Sequence, residues 1–388
     1  MNIWCRIRDL VCQFRGLAVI SFTDIISNIV VGLFWLYLAS LLGEESYGKI
    51  SYFLAIGGIA STISLVGASN TIMVHTAKKI RIESSFYLIS LVCGFIASII
   101  VFFVVGSYEI SIYIFGSVIF GLAISEILGK KLYKDYLKFI FLQKTIMICL
   151  AIILYYVIGI NGIILGLGIS FLPYSVIIFR SLRRSKIQFF ILKSHLRFII
   201  NNYILSLSGL LNGSIDKLII APLFGFAVLG NYQLSLQFLM IFQTLPAIVY
   251  KYTLSHDVTG NPNIKLKRLS VLISLGITII VIILSPIIIP ILFPTFTNVI
   301  GLIQIMSIAL IPISISYAYT SNLLANEKSG IILISSGLFF AVEIILIYLF
   351  GRSLNVDGIA IAYVSAIITQ TLFLIFINKR IKCGSSIL

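Results

Sequence analysis

The sequence predicts an all-α polytopic membrane protein, and three observations carry that prediction. Of its 388 residues, 60% are hydrophobic and only 11% charged, with a mean hydropathy of +1.12. A soluble domain holds about 45–50% apolar and about 25% charged residues, so a water-soluble enzyme of this size is excluded. Apolar runs near the roughly 20 residues that cross a bilayer recur from end to end, with room for about a dozen. Basic residues fall in every second connection between those runs.

Taken in order, the spans are expected at 17–42, 50–74, 85–106, 110–128, 139–158, 162–180, 198–224, 228–250, 269–293, 297–325, 330–350 and 358–378. The first follows Arg6, Arg8 and Arg15. It exceeds the about 7–15 apolar residues of a signal peptide, has no small-x-small cleavage site, and is expected to stay in the protein. The fifth carries Lys144 one turn inside its expected edge. In the sixth, Gly162 and Gly166 within GINGIILGLG read as a small-xxx-small helix contact, not a phosphate loop. The longest connection is Ser181–Arg197, followed by Lys251–Arg268. Pro222, Pro246, Pro286, Pro290, Pro294 and Pro312 lie in or at the edge of second-half spans, where proline kinks a helix. The second half is therefore expected to bend more.

With the N-terminus inside, 25 of the 28 Lys and Arg residues fall on the cytoplasmic side; Lys49 and Arg352 lie outside and Lys217 within a span. That bias predicts both termini in the cytoplasm. It also accounts for the net charge of +15 without a nucleic-acid partner. Gly43 and Gly48 bound one outside turn, and Gly225 and Gly230 bound another 182 residues later with the same G-x4-G spacing. Six spans separate the copies, so the repeat is parallel. It predicts two six-helix bundles, 1–180 and 198–388, joined by a basic cytoplasmic linker at 181–197, around a central cavity.

Cys5, Cys12, Cys93, Cys149 and Cys383 form no CxxC pair, and His75, His195 and His256 are scattered along the chain at loop or loop-edge positions. Neither set reads as a metal site or disulfide framework. With no GxxxxGK[ST], GxSxG or HExxH, no cofactor and no enzymatic activity are expected. Outside connections of about eight residues or fewer leave little room for a polymerase or ligase surface.

A charge near the bilayer centre costs at least about 2.5–3.5 kcal/mol on insertion scales, so each invites an explanation. Ser21, Asp24, Asn28, Gly32 and Trp35 share one face of the first span; Asn201, Ser208, Asn212 and Asp216 repeat the pattern in the seventh. Gln233, Gln237, Thr244 and Lys251 line one side of the eighth, and Ser307, Ser314, Tyr317 and Ser321 one side of the tenth. Such stripes are expected to face a wet cavity. Asp24 and Asp216, with Glu343 in the eleventh span, are candidates to bind a proton or Na⁺. The competing reading is that each carboxyl pairs with a neighbouring helix and fixes packing. Lys217 either attracts a substrate pyrophosphate from the cavity wall or snorkels to the outer interface. Arg15, at the inner mouth, is a further headgroup candidate. Glu109 and Glu126, near span ends, are expected to be reached by solvent.

The stretches LYLASLLGEESYGKISYF and LNGSIDKLIIAPLFGFAVLGNYQLSLQF resemble the first- and seventh-span signatures of polysaccharide repeat-unit flippases. These are the Wzx-type O-antigen translocases of the MOP exporter superfamily, alongside the lipid II flippase and the MATE exporters. The resemblance implies two six-helix bundles around a cavity that opens alternately to each side of the bacterial inner membrane. It implies undecaprenyl-pyrophosphate-linked oligosaccharide as substrate, coupling to H⁺ or Na⁺, and partnership with other polysaccharide-assembly membrane proteins. The chain lacks the two additional C-terminal spans typical of the lipid II flippase, which sets it apart from that branch. A MATE-type small-molecule exporter is the alternative.

Overall fold

The structure, a computed structural model, describes residues 3–78, 80, 82–184, 192, 193, 195–211, 213–258, 263–296, 298–326 and 328–384. Among these the regular secondary structure is entirely helical. Nine stretches are long and apolar enough to cross a membrane: Phe22–Leu65, Glu83–Val105, Tyr108–Gly129, Tyr133–Ile158, Ile160–Arg183, Phe226–Leu254, Ile264–Leu292, Val299–Ala325 and Gly330–Arg380.

The first and last of these contain 44 and 51 residues. At 1.5 Å per residue each is about twice the roughly 30 Å needed to span a bilayer. Each is interrupted, at Gly43 (φ 73°) and at Asn355 (φ 52°), and so supplies two of the predicted spans. The seventh predicted span consists of two shorter helices, Leu196–Leu211 and Ile215–Phe224. Pro173 imposes a 3₁₀ turn, Leu172–Tyr174, within the sixth. The fifth helix begins at Tyr133, so Lys144 stands three turns inside it, not one. The polar segment Tyr133–Lys138, outside the predicted span, belongs to the same helix.

The chain divides into two compact units. One comprises Met1–Phe34 and Phe53–Leu210, the other Trp35–Tyr52 and Leu211–Leu388. The first unit buries Ile72, Phe86, Val118, Leu122 and Tyr174 in one apolar cluster. Its fifth and sixth spans touch backbone to backbone, because a methyl on Gly162 or Gly166 would meet the main chain at Leu154 or Ala151. The second unit is built on Ile220, Leu229, Leu302, Met306, Ile347 and Ile359, all with no exposed surface.

The four repeat glycines all belong to the second unit. Gly43 and Gly225 break their helices at left-handed φ values of 73° and 92°, which glycine adopts without steric cost. Gly48 and Gly230 permit the contact itself: a methyl on Gly48 would overlap the Phe226 carbonyl, and one on Gly230 the Glu44 carbonyl. Asn231 Nδ2 donates to Glu44 Oε2 across the same junction at 2.7 Å. Tyr47 beside it is fully buried, edge-on to Trp35 and Phe296.

Candidate functional site

The second unit holds a pair of buried carboxyls. Asp216 sits in the first turn of helix Ile215–Phe224, just past the interruption of the seventh span. Glu343 lies well inside the eleventh span, and their exposures are 6% and 3%. Between them stands Tyr232 of the eighth span, with none of its surface exposed. Its hydroxyl donates to Asp216 Oδ2 at 2.8 Å, and its oxygen is 3.5 Å from Glu343 Oε1. Asp216 Oδ1 is buried with no hydrogen-bond partner. The Tyr363 ring packs 6.5 Å from that of Tyr232.

One phenol carries one proton. Tyr232 can therefore donate to one carboxyl at a time, and since a neutral phenol cancels no charge, ionising both carboxyls would leave uncompensated negative charge in a low-dielectric interior. Such a charge is tolerated only if a proton or cation balances it. Arrangements of this kind concentrate at functional sites. A cavity of about 350 Å³ adjoins the pair, lined by Asp216, Glu343, Tyr363, Gln243, Tyr250, Tyr317 and Thr320 among others.

The first unit has a simpler counterpart, in which the Tyr136 hydroxyl donates to Asp24 Oδ1 at 2.7 Å. Both aspartates singled out in the sequence thus accept a hydrogen bond from a tyrosine. Neither tyrosine was picked out as a site residue. Tyr232 is the tyrosine of the Gly-x-Tyr element in the seventh-span block, so a signal for it existed.

The remaining candidates are placed differently. Asn28 is exposed, and Lys217 is half-buried beside Asp216 and makes no ion pair with it. Gln237 is buried and Gln233 Oε1 has no hydrogen-bond partner. Neither lines the second-unit cavity, which takes Leu236, Leu239, Met240, Gln243 and Tyr250 from the eighth span. Asn212 and the Arg15 side chain lie outside the described residues.

Two expectations are corrected. Glu109 and Glu126 are not solvent-reached, with exposures of 3% and 2%. Packing of neighbouring helices closes over them: Glu126 pairs with Lys130 and accepts from Tyr87, and Ser107 Oγ donates to Glu109 at 2.6 Å. The serine stripe of the tenth span does not simply line water. Ser314 bonds Ser274 and Ser321 bonds Asp257, so these two hydroxyls tie helices together, while the Ser307 hydroxyl turns back to the Gln304 carbonyl of its own helix and its backbone carbonyl accepts from Thr278 at 2.9 Å. Tyr317 is the member that reaches the cavity.

At one end of the second unit, Asp257 accepts from Lys267 and Ser321, and Lys267 also donates to Asn322 Oδ1 at 2.7 Å. The first unit joins corresponding spans, the second, third and fourth, through Thr76–Glu83 at 2.9 Å and Tyr87–Glu126. His75 and His195, distant in sequence, bring their rings to 4.6 Å in that unit. Among the described residues no group of three or more His, Cys, Asp or Glu side chains could hold a metal ion.

These features define a multi-pass, all-helical membrane protein with buried carboxyl–tyrosine contacts in both units. No family model matches the chain, and no curated protein matches it. Solved structures do. The chain is similar to the lipid II flippase MurJ in an inward closed conformation (TM-score 0.76, 17% identity, 92% of this chain and 87% of that one). It is similar to an inward-facing multidrug resistance MATE family transporter of the MOP superfamily (TM-score 0.73, 14% identity, 96% and 99%). It is also similar to a MOP superfamily transporter from Pyrococcus furiosus (TM-score 0.57, 15% identity, 95% and 93%). At these identities the likeness is one of fold: the chain has the fold of MOP-superfamily transporters.

Proposed function

We propose that the protein is a flippase that carries undecaprenyl-pyrophosphate-linked oligosaccharide, an O-antigen or related repeat unit, from the cytoplasmic to the outer leaflet of the bacterial inner membrane. Transport runs by alternating access and draws on an ion gradient. The observation that supports the transport reading is the Asp216–Tyr232–Glu343 cluster, a place on a MOP-type fold suited to binding and releasing a balancing charge. The substrate class rests on the two blocks that resemble polysaccharide flippases. The fold likeness to a lipid II flippase supports a lipid cargo.

We take the proton, of the two candidate ions H⁺ and Na⁺, as the coupling ion, because carboxyls grouped around one phenol can gain and lose a proton with no further ligands. Lys217, half-buried one residue along, supplies positive charge for the pyrophosphate, as Arg15 does at the inner mouth. The alternative is a cation-coupled small-molecule exporter, favoured by the near-complete mutual coverage with a MATE transporter.

The test is to delete the gene and locate lipid-linked oligosaccharide with a membrane-impermeant sugar-modifying enzyme, in inverted vesicles and in spheroplasts. Accumulation on the cytoplasmic face with loss of surface polysaccharide is expected. Normal surface polysaccharide without accumulation would favour the exporter. Single units on the outer face would point to a polymerisation step and overturn the proposal.

A further inference from the structure

We propose that the cavity of the second unit is a one-sided water route, through which the Asp216–Glu343 pair exchanges its balancing proton with the face of the protein that carries Asp257 and Lys267. This rests on the reading above that the pair holds the coupling charge.

Geometry supplies the route. On the eighth span the cavity wall runs from Leu236 to Tyr250, about 21 Å at 1.5 Å per residue. Its deep end is fixed by Tyr232, one turn before Leu236, whose hydroxyl holds Asp216. Its far end is marked by Tyr250 and Tyr317, whose rings stack at 5.1 Å. That end lies less than two turns from Asp257, the partner of Lys267.

Burial gives it a direction. Asp216, Glu343, Leu236, Leu239 and Phe339 at the deep end are buried, whereas Gln243, Tyr250, Thr320 and Gln370 are part-exposed. Along the largely apolar wall between, Gln243, Ser316, Thr320 and Gln370 carry amides and hydroxyls. A space of about 350 Å³ holds on the order of ten waters.

In the other direction a second cavity of about 580 Å³, lined by Phe224, Val228, Leu354 and Asp357, is separated from the pair by a layer of dry apolar residues. Ile220 is one turn beyond Asp216, Ile347 one turn beyond Glu343, Leu229 just before Tyr232 and Ile359 one turn before Tyr363. All four lie toward the Gly225–Asn355 end, and none has exposed surface. Four spans thus place a dry apolar residue on the same side of the pair. The titratable groups facing the carboxyls are Tyr232, Tyr363 and the neighbouring Lys217. Each exchange moves one proton between a cavity water and a carboxyl oxygen, and only O–H bonds are made or broken.

The experiment uses the full chain with its native cysteines replaced, and a membrane-impermeant thiol reagent applied to vesicles of each orientation. Thr320→Cys is expected to react from the same side as a surface marker, Lys265→Cys, and Leu229→Cys from neither side. Labelling of Thr320→Cys from the opposite side, or from neither, overturns the proposal. Independently, Thr320→Trp and the smaller filling variant Ser316→Val narrow the route. The infrared response of the pair to a pH jump, assigned by its loss in Asp216→Asn and Glu343→Gln, is expected to slow by on the order of tenfold in Thr320→Trp. An unchanged rate in both filled variants overturns the route while leaving the coupling reading standing. A wild-type protein with no carboxyl band sensitive to Asp216→Asn or Glu343→Gln overturns the coupling reading itself.

Discussion

At the scale of single residues, the second unit turns on two buried carboxyls that share one phenol hydrogen-bond donor. Asp216→Asn removes the charge that must be balanced, and is expected to abolish transport while membrane abundance stays at the wild-type level on a quantitative blot. Tyr232→Phe strips Asp216 Oδ2 of its donor. A hydrogen bond to a charged group contributes about 1.5–3 kcal/mol, so this variant is expected to melt earlier in a detergent thermal-shift assay and to transport poorly. Lys217→Ala is expected to slow transport of the pyrophosphate-linked substrate, measured as slower loss of enzyme-accessible sugar in inverted vesicles. His75, just past the end of the second span, donates from its ring to the Thr71 carbonyl at 3.0 Å. Burial, with lesser repulsion from His195 and Lys78, holds its imidazolium below the usual histidine range. A depressed histidine means that the unfolded chain binds the extra proton first, so stability is complete at neutral pH and falls as pH drops through about 6.5. Thermal-shift curves from pH 5 to 8 should show that fall in the wild type and less of it in His75→Gln.

Helices and their junctions set a second group of expectations. The carboxyls were legible in the sequence because charge inside an apolar run is costly, and so were the repeat glycines, because their spacing recurs. What glycine was needed for was not legible. Gly43 and Gly225 serve φ, while Gly48 and Gly230 serve a backbone-to-backbone crossing. Gly48→Ala is therefore expected to cost more than an ordinary overpacking substitution of about 1–3 kcal/mol, because the obstructing atoms are main chain and cannot rotate away. Size-exclusion profiles and membrane abundance would register the loss. The Asp257–Lys267 pair joins the eighth and ninth helices where they leave the apolar region. Asp257→Asn should destabilise toward the lower end of the about 3–5 kcal/mol for a broken buried pair, since Lys267 keeps Asn322. Pro222, Pro246, Pro286 and Pro290 lie within helices of the second unit. Spin-label distances across each unit in two transport states would test the expectation that this unit bends more.

For the whole molecule, the span count and the alternation of basic residues make a topological prediction that reporter fusions can check. Fusions in the Ser181–Arg197 connection and after Asn378 should report the cytoplasm, and fusions at Gly225 or Asn355 the opposite side. An inverted result would reverse the direction in which the route to Asp216 opens. The two compact units do not follow the simple halving that the repeat implies. Trp35–Tyr52 belongs with the second unit, and Leu196–Leu210 with the first.

The sequence by itself determined that the chain is helical, crosses the membrane many times and carries charge where charge is expensive. Those properties are local: hydropathy over about 20 residues and the desolvation of one carboxyl do not depend on a partner. Only the tertiary structure decided which charges share a proton donor and which polar stripes face water. Only it showed that Glu109 and Glu126 are buried, that Ser314 and Ser321 of the tenth span fasten helices, and that His75 meets His195. Those outcomes depend on the rotation of each helix about its axis, and that angle is set by packing against helices distant in the chain.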